Sequence, residues 1–224
     1  MRMCPRYKIV VFDLDGTLIH YGSSWETLHD HFEAMPEDVR ANMDAFLAGE
    51  IDYKEWMERD IALWHHMAPT SRDVDEAFRD HVPCDETRAA IARLKEHGIK
   101  VFIVSSGIDV LARRIGEELG IDGAYANALD CDEDGRLTGR GECSVDPLRK
   151  HEVVHRIACE EGVPLDEIAC VGDTKYDISM FHGVGGKFAL KAKHDELREA
   201  ADASFESITD LVDHILGEQG TAMP

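Results

Sequence analysis

The stretch Ile9-Val10-Val11-Phe12-Asp13-Leu14-Asp15-Gly16-Thr17-Leu18 constrains this chain more than any other. Four apolar residues run straight into two aspartates one residue apart, and they read as a buried strand. Side chains two residues apart on a strand share a face, so Asp13 and Asp15 leave its C-terminal end side by side. At about 4 Å and an effective dielectric of about 20, their repulsion is on the order of 4 kcal/mol. Either one of them keeps a proton or a cation sits between them.

With 224 residues the chain has room for one well-buried core plus a smaller unit. Asp and Glu number 45 against 24 Lys and Arg, and the net charge of −21 argues against a nucleic-acid or anionic-membrane partner, whose phosphates would be repelled. Cys4, Cys84, Cys131, Cys143, Cys159 and Cys170 form no CxxC pair, which fits reduced thiols in a cytosolic setting better than a disulfide frame or a zinc ribbon. The N-terminus is basic (Arg2, Arg6, Lys8), but the apolar run behind it is too short for a signal-peptide core. No segment approaches transmembrane length, and a cytoplasmic protein is expected.

From about residue 20 to 82 the pattern is helical. Ser24 is a candidate N-cap for a helix carrying Trp25, Leu28 and Phe32, Pro36 opens a second, and Asp52 precedes a third with Tyr53, Trp56, Met57, Ile61 and Trp64. These Met and Trp stripes read as the core of a small helical bundle. From Pro83 onward helices alternate with short apolar strands: Lys100 to Val104 ending at Ser105-Ser106-Gly107, Ile168 to Val171 running into Gly172-Asp173, and later segments near 187–190 and 203–205. Asp134-Gly135 is a hairpin turn signal between Ala126 and Val145. The expected architecture is α/β: a parallel, Rossmann-like sheet with helices on both faces. Residues 1–19 and 83–224 would form the core domain, and residues 20–82 an inserted helical domain.

Ligands of such sheets bind beyond the carboxyl ends of the strands. Those ends carry Asp13 and Asp15, Ser105 with Ser106 and Gly107, and Asp173 with Asp177. Four carboxylates converging on one crevice require a cation, and oxygen-only ligands favour Mg²⁺. Lys150, at the start of a helix, is the lysine placed to share the site. A metal, a lysine, hydroxyls and backbone donors together are what a phosphoryl group in transfer needs.

In order and spacing these residues resemble the haloacid dehalogenase superfamily of phosphohydrolases, whose four motifs correspond to Asp13-Leu14-Asp15-Gly16-Thr17, Ser105, Lys150, and Gly172 to Asp177. The run Val171 to Phe181 is similar to phosphoserine-phosphatase-type members, and the helical insert resembles the lid that the family calls a C1 cap. The resemblance implies an Mg²⁺-dependent phosphatase acting through an aspartyl-phosphate on a small phosphorylated metabolite, phosphoserine among the candidates. Asp13 would be the nucleophile and Asp15 the proton donor and later the base, with its backbone carbonyl on the metal. Thr17 would set the geometry of Asp15 and count among the phosphate-binding residues. Ser105, Ser106 and Gly107 would bind phosphoryl oxygens, Lys150 would neutralise charge, Asp173 would ligate Mg²⁺, and Asp177 would support the metal or orient Lys150. The implied metal set is Asp13, Asp15, Asp173 and Asp177.

Two alternatives come from the same residues. A phosphotransferase or mutase would use the same nucleophile. His151-Glu152-Val153-Val154-His155 matches HExxH, the zinc-metallopeptidase spacing, with Glu160, Glu161 and Glu167 as available third ligands. It leaves the strand-end aspartates unexplained. Four positions depart from the phosphoserine-specific pattern: Gly22 stands at the acidic position, Asp60 at the arginine position beside Arg59, Ser106 at a glycine and Tyr176 at an asparagine. Glu26 and Arg59 would substitute if the register slipped. No nucleic acid or membrane partner is expected, and the chain would be a monomer or homodimer.

Overall fold

The computed structural model describes residues 5–218, so Arg2 and Cys4 lie outside the described residues. A seven-stranded sheet has the order β4-β3-β2-β1-β5-β6-β7, formed by β1 (Ile9–Phe12), β2 (Lys100–Ile108), β3 (Gly123–Cys131), β4 (Leu137–Glu142), β5 (Ile168–Gly172), β6 (Gly186–Leu190) and β7 (Ala203–Phe205). β1 lies between β2 and β5, parallel to both, with Phe12 opposite Ile103 and Val171. That register brings the residues after Phe12, Ile103 and Val171 out at one level, and so makes a single crevice of three strand ends.

Alternation along the central strands divides the core. Val10, Phe12, Val101, Ile103, Ala169 and Val171 face one layer, built by α5 (Asp85–Glu96), α6 (Asp109–Leu119) and α9 (Ile208–Leu216). Ile9, Val11, Phe102, Val104, Ile168 and Cys170 face the other, built by α7 (Lys150–Glu161) and α8 (Asp195–Ala200). Runs without polar alternation are what a sheet covered on both faces requires.

The sheet is not wholly parallel. β3 pairs parallel with β2 but folds back antiparallel onto β4 through the turn containing Asp134 and Gly135. Gly135 has φ 79°, the left-handed conformation the hairpin demands. β2 also runs past Val104 to Ile108, with a register shift over that stretch, so Ser105 to Gly107 belong to an irregular strand end and not to a following loop.

Between β1 and α5 come α1 (Ser24–His31), α2 (Pro36–Leu47), α3 (Tyr53–Ala62), a 3-10 turn at His65–Met67 and α4 (Ser71–Ala77). This helical segment rests on the hairpin, with Leu137 N donating to Pro69 O at 2.9 Å and Ser71 N to Gly135 O at 2.8 Å. The N-cap of α1 is Ser23, in a capping box with Glu26, and not Ser24, which is buried in the first turn. Leu28, Met57, Ile61 and Trp64 are fully buried as the segment's core.

Ile103 has no exposure on β2, the strand against which α6 packs. Ile103→Ala is expected to cost about 2–5 kcal/mol, read as a lower urea midpoint with an unchanged slope.

Candidate active site

The crevice at the ends of β1, β2 and β5 opens into a cavity of about 770 Å³ lined by Asp13, Asp15, Ser105, Ser106, Gly107, Lys150, Thr174, Tyr176 and Lys193 at one end and by the helical segment at the other. Asp13 follows β1 directly, held by its own N–H donating to Val171 O at 2.9 Å. Lys150, only 2% exposed, begins α7 and donates from Nζ to Asp13 Oδ1 at 2.6 Å and to Asp177 Oδ1 at 2.7 Å. The other oxygen of Asp177 accepts from Asp173 N, Thr174 N and Thr174 Oγ1 at 3.1, 2.9 and 3.0 Å. Asp177 is therefore fully engaged in fixing the loop after β5 and aiming the lysine.

Asp173 is buried and turns Oδ1 to Thr17 Oγ1, which donates at 3.3 Å. Thr17 thus positions Asp173 directly and Asp15 only through the shared turn. Lys193, half exposed, brings Nζ within 2.8 Å of Asp173 Oδ2 as an ion pair. Asp15 is turned the other way: its Oδ2 accepts from Ser24 N at 2.8 Å and Ser24 Oγ at 2.7 Å, while Oδ1 is buried with no partner. On the β2 side, Ser105 Oγ accepts from Gly107 N at 3.0 Å. Gly107 is required by packing, because a Cβ there would lie 2.3 Å from Ser24 Oγ and 2.7 Å from Asp15 Oδ2. Gly16 combines φ 85° with a Cβ position 2.2 Å from Asp173 Oδ2, so no other residue fits.

Burial pushes the Asp13 carboxyl well above its ordinary range, Lys150 pulls it back, and the neighbouring aspartates raise it again. Burial likewise raises Asp15 against the two bonds from Ser24, and raises Asp173 with help from Asp177. Burial disfavours the charge of Lys150, but Asp13 and Asp177 outweigh it and push its pKa up. The site therefore holds more negative charge than its one buried ammonium can balance. Oxygens of Asp13, Asp173 and Asp177 all lie within 4.8 Å of one another, the one such metal-ligating group among the described residues. A hard divalent cation fits that all-oxygen donor set. The Asp15 carboxylate is not part of the trio, because Ser24 holds it away.

The HExxH histidines do share a helix face, with ring centroids 5.7 Å apart, but His155 Nε2 is bonded to His182 O at 2.9 Å. Glu152 pairs with Arg149, and Glu160, Glu161 and Glu167 pair with Tyr125, Lys100 and Lys8. No third zinc ligand converges there among the described residues. Arg59 is exposed and pairs with Glu55 on the outer face of α3, away from the cavity, whereas Glu26 and Arg40 line it. Trp25, Tyr53 and Trp56, expected only as helical core, form the cavity wall together with Met43 and Phe46. Ser24, Lys193 and Arg40 are the site residues that sequence reasoning missed. The Ser23-x-x-Glu26 spacing is the signal that separates the two serines, assigning the cap to Ser23 and freeing Ser24.

The haloacid dehalogenase-like hydrolase family matches residues 7–185. The phosphoserine phosphatase of Methanocaldococcus jannaschii is 32% identical over 205 residues, covering 91% of this chain and 94% of that one. That of Archaeoglobus fulgidus is also 32% identical, over 199 residues and 88% of this chain, which spans only 56% of its length. A solved phospho-aspartyl intermediate analogue of phosphoserine phosphatase superposes with a TM-score of 0.76 at 29% identity, covering 93% of this chain and 98% of that one. The chain belongs to the haloacid dehalogenase-like hydrolases. Within them it is a phosphatase of the phosphoserine-phosphatase-like kind.

A carboxyl whose folded pKa is raised binds its proton where the unfolded chain has released it, so its stabilisation is full below about pH 4 and is lost as pH rises through the folded value. The cation-free protein is expected to lose thermal stability over that window. Asp173→Asn is expected to flatten the loss and to abolish the Tm increase produced by a divalent cation; a variant matching the native chain in both would contradict the assignment.

Proposed function

We propose that the chain is an Mg²⁺-dependent phosphomonoester hydrolase that transfers the phosphoryl group of a small metabolite to Asp13 and then to water. One observation carries this reading: Asp13 stands at the end of β1, braced by the buried Lys150 ammonium, beside a second carboxyl, Asp15, which Ser24 holds in place and whose pKa burial pushes up. The free oxygen of Asp13 attacks phosphorus as the bond to the leaving oxygen breaks, and Asp15 delivers its proton to that oxygen. Asp15, now ionised, takes a proton from water as the water oxygen attacks the aspartyl-phosphate. Inorganic phosphate leaves and the Asp13 carboxylate returns. Ser105, the Ser106 and Gly107 backbone and Lys150 bind the phosphoryl oxygens, with Ser24 holding Asp15 and Asp177 holding Lys150. Mg²⁺, held by Asp13 and Asp173, would supply charge neutralisation to the phosphoryl group and to the crowded carboxylates.

The helical segment 20–82 acts in this reading as a cap domain over a core of 1–19 and 83–224, closing the cavity during turnover. Water as acceptor, and not a second alcohol, distinguishes the chain from a phosphotransferase. Five described cysteines are free, which supports a cytoplasmic setting. Among the described residues no helix is long and apolar enough to cross a membrane. The net charge of −21 speaks against nucleic acid as a partner. Phosphoserine is the substrate by which the relatives are named, and it defines the small phosphomonoester class to which the substrate belongs.

Asp13→Asn is expected to lower Mg²⁺-dependent release of phosphate from p-nitrophenyl phosphate by at least about 10³-fold. Retained turnover would contradict the nucleophile. In added glycerol the native chain is expected to release phosphate equal to the ester consumed; accumulation of glycerol phosphate as the main product would make it a transferase.

A further inference from the structure

Beyond the carboxylates the cavity is walled by rings whose polar atoms are already committed within the protein. Trp25 and Trp56 meet there at 67° with ring centroids 4.9 Å apart, and Tyr53 stacks on Trp56 at 5.0 Å. Trp25 Nε1 and Tyr53 Oη both donate to Ser106 O, at 3.1 and 2.8 Å. Trp56 Nε1 has no protein partner, but it is itself buried. Phe46 and Met43 add no donor, and only a weak thioether acceptor, to the same wall.

The acidic residue on this wall is closed off as well. Asp60 has no solvent exposure. Its Oδ1 accepts from Asn42 Nδ2 at 2.7 Å and its Oδ2 lies 3.0 Å from His29 Nε2. The other nitrogen of that ring, Nδ1, accepts from Trp64 Nε1 at 3.1 Å. Each carboxyl oxygen and each ring nitrogen of the pair therefore has a partner within the protein. The other charged residues that the helical segment contributes to the lining, Glu26, Asp30 and Arg40, are exposed, whereas Trp25, Phe46, Tyr53 and Trp56 are buried. Size points the same way. At about 770 Å³ the cavity lies in the upper part of the range for drug-sized ligands. A three-carbon leaving group would leave most of that space to water, against rings that offer water no open partner.

We propose that the leaving group seated against this wall is apolar, and that the substrates are phosphate monoesters of uncharged alcohols bearing an aromatic ring or an alkyl chain of several carbons. The inference rests on the phosphatase reading above. With the phosphoryl group at Asp13, the rest of the ester runs along the ring faces, and apolar surface on both partners leaves water. An ammonium or a carboxylate on the leaving group would lose its hydration against side chains whose donors and acceptors are already paired.

The test compares kcat/KM, with Mg²⁺ present, for ethyl, butyl, hexyl and 2-phenylethyl phosphate, phosphoserine and p-nitrophenyl phosphate. The four uncharged alcohols of the first group are closely similar in basicity, so a trend among them reads binding and not bond breaking. From ethyl to hexyl phosphate kcat/KM is expected to rise about three- to fourfold per methylene. The 2-phenylethyl ester is expected to exceed phosphoserine by at least about tenfold, and Met43→Ala to shrink the hexyl-to-ethyl ratio severalfold. Should that variant fail to fold, alkylphosphonates are expected to inhibit native p-nitrophenyl phosphate hydrolysis about threefold more tightly per methylene over the same lengths. Rates and inhibition independent of chain length, an unchanged ratio in folded Met43→Ala, or preference for phosphoserine overturns the inference while leaving the phosphatase standing. No turnover of any ester, the aryl phosphate included, overturns the phosphatase reading and this inference with it.

Discussion

The ammonium of Lys150, taken out of water and bonded to Asp13 and Asp177 at 2.6 and 2.7 Å, is the interaction on which the rest of the site depends. It joins the ends of β1 and β5, two of the three strand ends that the parallel register of β1, β2 and β5 has already brought to one level. A lone buried charge in that position would be costly, and two carboxylates make it tolerable. They overshoot, because Asp15 and Asp173 bring the same crevice further negative charge. The upward pressure on the Asp13, Asp15 and Asp173 carboxyls expresses that excess. An excess of this kind suits a hard divalent cation, whose all-oxygen donors Asp13, Asp173 and Asp177 are gathered here.

The turn after Ser105 and the helical segment are tied together at one backbone atom. Ser106 O accepts from Trp25 Nε1 at 3.1 Å, Tyr53 Oη at 2.8 Å and Asn127 Nδ2 at 2.9 Å. Two of these donors belong to α1 and α3 of the helical segment and the third to β3, while the acceptor directly follows Ser105. Ser24 repeats the theme from α1, donating to Asp15 Oδ2 and accepting from Ile108 N at 3.2 Å. Movement of the helices relative to the sheet therefore has to break or preserve contacts that also set Asp15 and the Ser105 turn.

Much of this was legible in the sequence where the signal was local. An apolar run ending in Asp13-Leu14-Asp15 declares both a buried strand and a charged strand end, and the same reading placed Ser105 and Asp173. Lys150 was legible from motif order, since nothing about a lysine at a helix start announces 2% exposure. The contacts made by Ser24, Lys193 and Asn127 were not legible, because each depends on elements brought together only by folding; Thr17 and Asp173, 156 residues apart, meet in the same way. The antiparallel β3–β4 edge was half visible, as a turn at Asp134-Gly135 without its parallel partner. Asp60 stood out in sequence as an acidic residue where phosphoserine-specific relatives have a cation. Its hydrogen-bond partners, Asn42 and His29, come from two other helices and were not legible.

The central claim is that Asp13 carries the phosphoryl group. Acid-quenching the enzyme during steady turnover and digesting it for mass spectrometry tests that claim most directly. The account predicts a phosphoryl adduct on the peptide containing Asp13, borohydride-reducible to homoserine at that position and absent from Asp13→Asn. Turnover that proceeds with no adduct on Asp13, or with the adduct on another residue, would contradict it.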